Sequence, residues 1–379
     1  MNVEHLRTWA EIDLAALCHN TSIARSLAGT RQLMAVVKAD AYGHGVTSVI
    51  HSLVDQVDLF GVSGLKEAQE IREAGIQTPV FLLSVSLSTE LSEICDLENI
   101  IVTISSLEEA KALSSTAARK DRCIKIHCVI DTGMGRIGFL PSQWEKALVT
   151  ELRSLPNIKL TGIMSHLPSA DEDEAFTRQQ IKKFHQLAEK TADLDAHIVN
   201  SAGLIGYREE AIGNMVRPGL LLYGTAPIAV PSLDLKPVMS LKSRVMIVRD
   251  LPKGSGISYG RRFITEKSTK VATVGIGYGD GYRRELSWPN GVVLIRGVRC
   301  HVLGRVTMDQ IMVDVTDLNG VSPGEEVLLF GQSCLGSHGM LSVEEVAKRA
   351  GLIPWEIFTG ITPRVDRIYT SGNLSGETS

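Results

Sequence analysis

Eight short aliphatic runs, alternating with helical stretches through about the first 220 residues, constrain this chain more than any other feature. The runs are LMAVV (33–37), DLFGV (58–62), PVFLL (79–83), NIIVT (99–103), IKIHCVI (124–130), IKLTGIM (158–164), AHIV (196–199) and NMVR (214–217). Amphipathic stretches such as SLEEAKALSSTAARK and DEAFTRQQIKKFHQLAEKTADL separate most of them. Near-continuous aliphatic strands with helices between them indicate a parallel sheet covered by helices on its faces. Eight such units predict an α/β fold, a (β/α)8 barrel of the TIM type. A doubly wound open sheet is the competitor, and the count of eight favours the barrel.

After about Pro231 strands dominate: LKSRVMIVRDL, STKVATVGIG, VVLIRGVRCHVLG, QIMVDVTDL and EEVLLFG. Turn signals at Lys253-Gly254, Pro289-Asn290-Gly291 and Pro323-Gly324 divide them. One helix is expected at SVEEVAKRAG (342–351), with Ser342 as N-cap and Glu345 at the capping-box position. The expected organisation is a barrel over 9–231 and a mainly-β C-terminal domain over 232–379, with residues 1–8 packing with the latter. The polar tail SGNLSGETS reads as frayed.

The 379 residues suffice for two domains with a large core, and 44% hydrophobic with 22% charged is ordinary for a globular protein. A net charge of -4 and the lack of a Lys/Arg run argue against nucleic acid. No apolar run is long enough to cross a bilayer, and the N-terminus, with Glu4, has no secretory h-region, so no membrane partner is expected. Six scattered cysteines without a CxxC pair fit reduced thiols in a cytoplasmic protein. No HxH or HExxH occurs, which argues against a metal. His44, His127, His185 and His301 read as structural or solvated.

Barrel enzymes place their chemistry at the C-terminal ends of the strands. Lys38, Arg136, His166, Asn200 with Ser201, and Arg217 with Pro218 and Gly219 follow five different runs. A lysine at the end of an apolar strand is partly desolvated, which lowers its pKa and favours Schiff-base formation. Gly133, Gly135 and Gly138 formally make a GxGxxG. No acidic residue ends the following strand, so a tight loop presenting Arg136 is the better reading. NSAG and RPGLLLYG follow the seventh and eighth runs, where barrels often bind phosphate.

These segments resemble bacterial alanine racemases over nearly the whole chain. The matching pieces, in order, are RTWAEIDLAALCHN, AVVKADAYGHG, LFGVSGLKEAQEIREAGI, DTGMGRIGF, GIMSHLPSADED, NSAG, VRPGLLLYG, GISYGRRF, GIGYGDGYRR, VLGRVTMDQIMVDVTD and PRVDRIY. The resemblance implies a barrel binding pyridoxal 5′-phosphate (PLP), a β-rich C-terminal domain, and a homodimer whose sites are shared. It implies Lys38 as the Schiff-base lysine and one of two catalytic bases, and Tyr259 of the other subunit as the opposing base. Arg217 would face the pyridine nitrogen, with His166 linking it toward the tyrosine. Tyr42, Ser201, Gly219 and Leu220 would hold the phosphate, with Asn200 beside them. Arg136 and Met308 would surround the substrate carboxylate, and Asp309 and Tyr278 would form the entry and inner wall.

The implied function is interconversion of L- and D-alanine, supplying D-alanine for peptidoglycan. Alternatives are a racemase for serine or other small amino acids and a PLP amino-acid decarboxylase. The decarboxylase reading meets an objection in Arg217, because such enzymes favour an acidic partner for the ring nitrogen. A non-catalytic PLP-binding protein would be a single barrel, and a Schiff-base aldolase would share only Lys38. The chain departs from the family pattern twice. Val129 stands where many members carry a carbamylated lysine that orients the arginine. Trp355 stands where many have a tyrosine bracing the catalytic one.

Overall fold

Val- and Ile-rich runs joined by helices suit parallel pairing, and the structure shows them so paired. It is a computed structural model describing residues 3–211, 213–228, 233–333 and 339–371. The chain divides into two compact units. One takes Cys18–Ala41 and Val46–Leu235. The other takes the chain through Leu17, Tyr42–Gly45, and everything from Lys236 on. The expected boundary at 231/232, Cys334 and tail residues 372–379 lie outside the described residues.

The first strand, β1 (Thr8–Asp13), belongs to the β-rich unit. The barrel unit then contains β2 (Gln32–Val36), β3 (Leu59–Val62), β4 (Val80–Leu82), β5 (Ile100–Ile104), β6 (Ile124–Val129), β7 (Ile158–Met164), β8 (Asp195–His197) and β9 (Met215–Val216). These are the eight expected runs. They pair in parallel in the order β8-β7-β6-β5-β4-β3-β2-β9. Two further bonds join the ends: Asn214 N–H donates to the Ala196 carbonyl at 3.1 Å and Arg217 N–H to that of Val199 at 2.9 Å. Alternate side chains fill the interior, where Met34, Leu59, Phe81, Val129, Met164 and Met215 form one buried cluster. Two of the longer covering helices start on polar caps. Ser106 accepts from Glu109 N–H ahead of Leu107–Arg119, and Asp173 accepts from Phe176 N–H ahead of Glu174–Ala188.

In the β-rich unit lie β10 (Met239–Leu251), β11 (Gly256–Ile257), β12 (Phe263–Ile264), β13 (Thr269–Val274), β14 (Val292–Ile295), β15 (Val298–Leu303), β16 (Ile311–Asp314), β17 (Glu326–Gln332), β18 (Met340–Leu341) and β19 (Asp366–Thr370). The antiparallel pairings β10–β13–β16–β15–β14–β17–β10 close a ring. The long β10 makes this possible, pairing with β17 over its first half and β13 over its second. VVLIRGVRCHVLG is two strands, because Arg296 and Gly297 both take positive φ (52° and 77°) in a two-residue hairpin turn.

Expectation and structure also differ at the N-terminal segment and at the capping box. The barrel domain is expected to begin at residue 9, yet β1 pairs with β10 and β19, and the chain through Leu17 groups with the β-rich unit. The helix Val343–Ala350 is capped by Ser342, which accepts from Glu345 N–H. The reciprocal half of the capping box is not made, because the Glu345 carboxylate is taken by Arg299 and Arg349.

Candidate active site

Because β2 to β9 are parallel, their C-terminal ends open on one face, and each candidate residue of the barrel follows a strand there. Lys38 comes two residues after β2. The next four residues, Ala39, Asp40, Ala41 and Tyr42, take left-handed φ values of 53°, 54°, 50° and 54°. L-residues resist that region by roughly 1–2 kcal/mol each, so the turn persists only where its surroundings hold it. Two carboxylates do so. Glu67 accepts from Ala39 N–H at 2.8 Å, and Asp40 accepts from Val46 N–H at 2.7 Å. Strain of this kind concentrates at functional sites. Burial, then the Arg136 charge, lowers the Lys38 pKa, with Glu67 partly opposing. More of the amine is therefore unprotonated and nucleophilic near neutral pH.

Arg217, 4% exposed, is fixed by its own donors. Nη1 lies 2.6 Å from His197 Nδ1, and Nη2 donates to the Ser165 carbonyl at 2.7 Å and approaches His166 Nδ1 at 3.4 Å. Burial, then Arg136, pulls its pKa down to about 9, which leaves it cationic at neutral pH. His166 is lowered to about 3 by burial, then by Arg217, Arg136 and Lys38, so it is a neutral imidazole in a cationic recess.

Ser201 is buried, and its Oγ accepts from Gly219 N–H at 2.9 Å and Leu221 N–H at 3.4 Å. Its own hydroxyl proton remains to donate. Leu220 opens the 3-10 turn Leu220–Tyr223. Asn200 caps the helix Ser201–Gly206, accepting from Gly203 N–H and donating to the Leu167 carbonyl, both at 2.9 Å. Arg136 is exposed on its loop. Asp131 orders that loop, its carboxylate accepting from Gly133, Met134 and Gly135 N–H at 2.8–3.1 Å. Tyr42 is buried at the end of the left-handed turn.

The β-rich unit brings its four candidates together on three adjoining loops. Tyr259 is 70% exposed, displayed beside Ser258, whose φ of 62° with ψ of -175° is a conformation other residues leave to glycine. Ser258 Oγ donates to the Arg305 carbonyl at 2.7 Å, joining this loop to the one carrying Met308 and Asp309. Gly304 must be glycine there: its φ is +69°, and a Cβ would meet the Ile257 carbonyl oxygen at 2.6 Å. Tyr278 N–H donates to the Thr307 carbonyl at 2.9 Å, and Asp309 pairs with Arg364 at 2.8 Å. Tyr259, Tyr278 and Met308 are all exposed.

Residues 12–227 match the alanine racemase N-terminal domain, and residues 238–369 match the alanine racemase C-terminal domain. The chain belongs to the alanine racemase family. It is similar to the alanine racemase of Clostridium tetani, 40% identical over 98% of each chain, and to that of Geobacter sp., 41% identical over 96% of this chain and 98% of the relative. Among solved structures it resembles the biosynthetic alanine racemase of Pseudomonas aeruginosa, with TM-score 0.86 and 34% identity over 96% of this chain and 99% of the other. The alanine racemase of Bartonella henselae, described with covalently bound pyridoxal phosphate, gives TM-score 0.88 and 26% identity over 96% and 99%.

Val129 lies in the apolar interior cluster, against which Leu83, Ile101 and Ile137 pack. No acid can form at that position, and the ordering of the Arg136 loop falls to Asp131. Trp355 is half-buried on the short helix Pro354–Thr359. Three contributors went unremarked in the sequence: Glu67, Asp131 and His197. Asp131 and Glu67 look like ordinary loop and helix acids. His197 was open to detection, as a polar residue inside the apolar run AHIV. Among the described residues no cluster of His, Cys, Asp or Glu could hold a metal, and no helix is long and apolar enough to cross a membrane.

Proposed function

We infer that this chain interconverts L- and D-alanine at a site holding pyridoxal 5′-phosphate on Lys38, with Lys38 and Tyr259 as the two bases. The observation that carries this reading is the donor set at the strand ends. An amine of lowered pKa stands in a recess with Arg136, Arg217 and a neutral His166. The set fits the cofactor. Lys38 would bind its aldehyde carbon, Ser201 with the amides around Gly219 and Leu220 suits a phosphate, and the cations balance its charge. Tyr42 and Asn200 would flank that phosphate. When bound, the cofactor would acidify the substrate Cα–H by drawing electron density into its ring.

The chain's own residues would decide the outcome. Arg217 cannot accept a hydrogen bond and keeps its proton, so it would leave the ring nitrogen unprotonated and the electron sink weak. That restrains decarboxylation and transamination and leaves proton exchange at Cα. Arg136 would hold the substrate carboxylate, with Met308 beside it and Tyr278 and Asp309 lining the approach. Tyr259 stands 70% exposed on the β-rich unit, as expected of a base delivered to the site of a second subunit. The same reading makes the protein a cytoplasmic homodimer that supplies D-alanine for peptidoglycan.

Subunit complementation tests it. Lys38→Ala and Tyr259→Phe homodimers should each be nearly inactive. After subunit exchange, a heterodimer has one site with both defects and one with neither, so it should recover about half the wild-type rate. No rescue, with heterodimers confirmed by native mass spectrometry, excludes the shared site. Carbon dioxide release in place of D-alanine formation by the wild type excludes racemisation as its main activity.

A further inference from the structure

A pair of imidazoles extends inward from Arg217 through the barrel interior. His197, fully buried in β8, places Nδ1 2.6 Å from Arg217 Nη1. Its Nε2 lies 2.8 Å from Nδ1 of His127, 1% exposed in β6. Hydrogen-bond chemistry fixes the direction. A guanidinium only donates, so His197 Nδ1 must carry a lone pair. The His197 proton then sits on Nε2 and is donated to His127 Nδ1, which must carry a lone pair in turn. The His127 proton is therefore on Nε2. A second proton on either ring would set two donors against each other. Burial and the Arg217 charge oppose it as well, holding His127 at about 3 and His197 well below its ordinary value.

The barrel is shaped to keep these rings in place. The β6–β7 register shifts between Ile126 and His127, a bulge that re-aims the side chain. Opposite it, Gly162 leaves room: a Cβ there would fall 2.4 Å from His127 Cε1. Phe81 meets both rings edge-on, with centroids 5.1 Å from His127 and 5.4 Å from His197. Beyond His127 lies a cavity of about 480 Å³ at the N-terminal ends of the strands, bordered also by Gln32, Thr161 and Asp195.

We propose that His127 is a positioning residue for the reaction: it fixes the tautomer of His197, and His197 in turn fixes Arg217. The inference rests on Arg217 serving the cofactor ring, and it extends that reading to a side chain on the far side of the interior. Without an acceptor at position 127, the buried His197 Nε2–H is unsatisfied, its ring turns, and Arg217 loses its shortest contact. His127→Leu removes the acceptor. His127→Asn restores one, because its carboxamide oxygen can occupy the place of Nδ1.

The test is nitrogen NMR of the holoenzyme carrying ring-labelled histidine, together with steady-state kinetics on alanine. In the wild type both histidines should be neutral and protonated on Nε2. His127→Leu should lower kcat roughly ten-fold, the effect of one buried donor left unpaired, with little change in KM. It should also raise the fraction of turnovers lost to keto-acid formation. His127→Asn should recover most of both. A wild-type His197 protonated on Nδ1 overturns the proposal without recourse to any variant. So does an equal effect of Leu and Asn, which would reduce the site to packing, or no effect of either. The tautomers are read without turnover, so a failure of this proposal is distinguishable from a failure of the racemase assignment, which the wild-type product alone decides.

Discussion

Truncating Asp131 to alanine should raise the KM for alanine and leave kcat nearly intact. The carboxylate accepts three successive loop amides at 2.8–3.1 Å, just ahead of Arg136. Val129 supplies no polar group to do the same work from the strand. A hydrogen bond to a charged acceptor contributes about 1.5–3 kcal/mol, less where water competes, as it does at this partly exposed site. Three amides that water can re-solvate put the loss at roughly 2 kcal/mol of loop order. Substrate must then supply that order on binding, so KM should rise by up to roughly thirty-fold. Asp131→Asn keeps an oxygen acceptor without the charge and should fall between wild type and alanine. Burial pushes the Asp131 pKa up, but the Gly135, Gly133 and Met134 amides outweigh it and hold the value below its ordinary 3.8. A depressed carboxylate contributes fully above that ordinary value and loses its contribution only as pH falls through the lower folded one. The wild-type KM should thus show no Asp131 titration between pH 6 and 9. Chiral chromatography of product against alanine concentration measures both constants. A KM within two-fold of wild type for Asp131→Ala, or a loss confined to kcat, would refute the reasoning.

Arg217→Glu should slow racemisation and divert a larger share of turnovers to keto acid, and unchanged partitioning would remove Arg217 from control of side reactions. Val129 cannot be carbamylated, so activity should be the same in degassed and in bicarbonate-supplemented buffer; reactivation by bicarbonate would contradict that. Glu345, held by Arg299 and Arg349, has its pKa lowered to about 2. Its contribution is present above the ordinary value and lost in acid. Glu345→Gln should cost about 1–2 kcal/mol at neutral pH after allowing for its exposure, with little loss near pH 2. Equal urea midpoints for the two proteins at pH 7 would count against it.

The barrel was legible because its eight strands carry their signal locally. A run such as IKIHCVI is too apolar to face water and too short for a buried helix, and the amphipathic stretches between runs supply the crossovers that parallel pairing needs. Legibility fell where partners are distant in sequence. Nothing in RTWAEIDL shows that β1 lies between β10 and β19, since a strand's neighbours are set by which edges remain unpaired, not by its own residues. Likewise VVLIRGVRCHVLG reads as one run because Arg296-Gly297 lacks the Asn or Asp that usually marks a type I′ turn. At Glu345 the local capping rule lost to a tertiary contact: its carboxylate reaches Arg299, 46 residues away in sequence.

Lys38, Arg136, His166, Ser201 and Arg217 are readable as a site for a topological reason. In a parallel barrel, lying in the loop that follows a strand is nearly equivalent to facing the mouth. Residues inside the strands have no such rule. His127 reads as a core histidine and His197 as part of an apolar run, and each description is correct of its burial. What makes them a unit is the 2.8 Å between their rings across β6 and β8, 70 residues apart in sequence. That distance depends on the absent side chain of Gly162 in the intervening β7. A missing Cβ is invisible as chemistry until the strand order is known, and then it decides whether two neutral histidines can reach the arginine at the mouth.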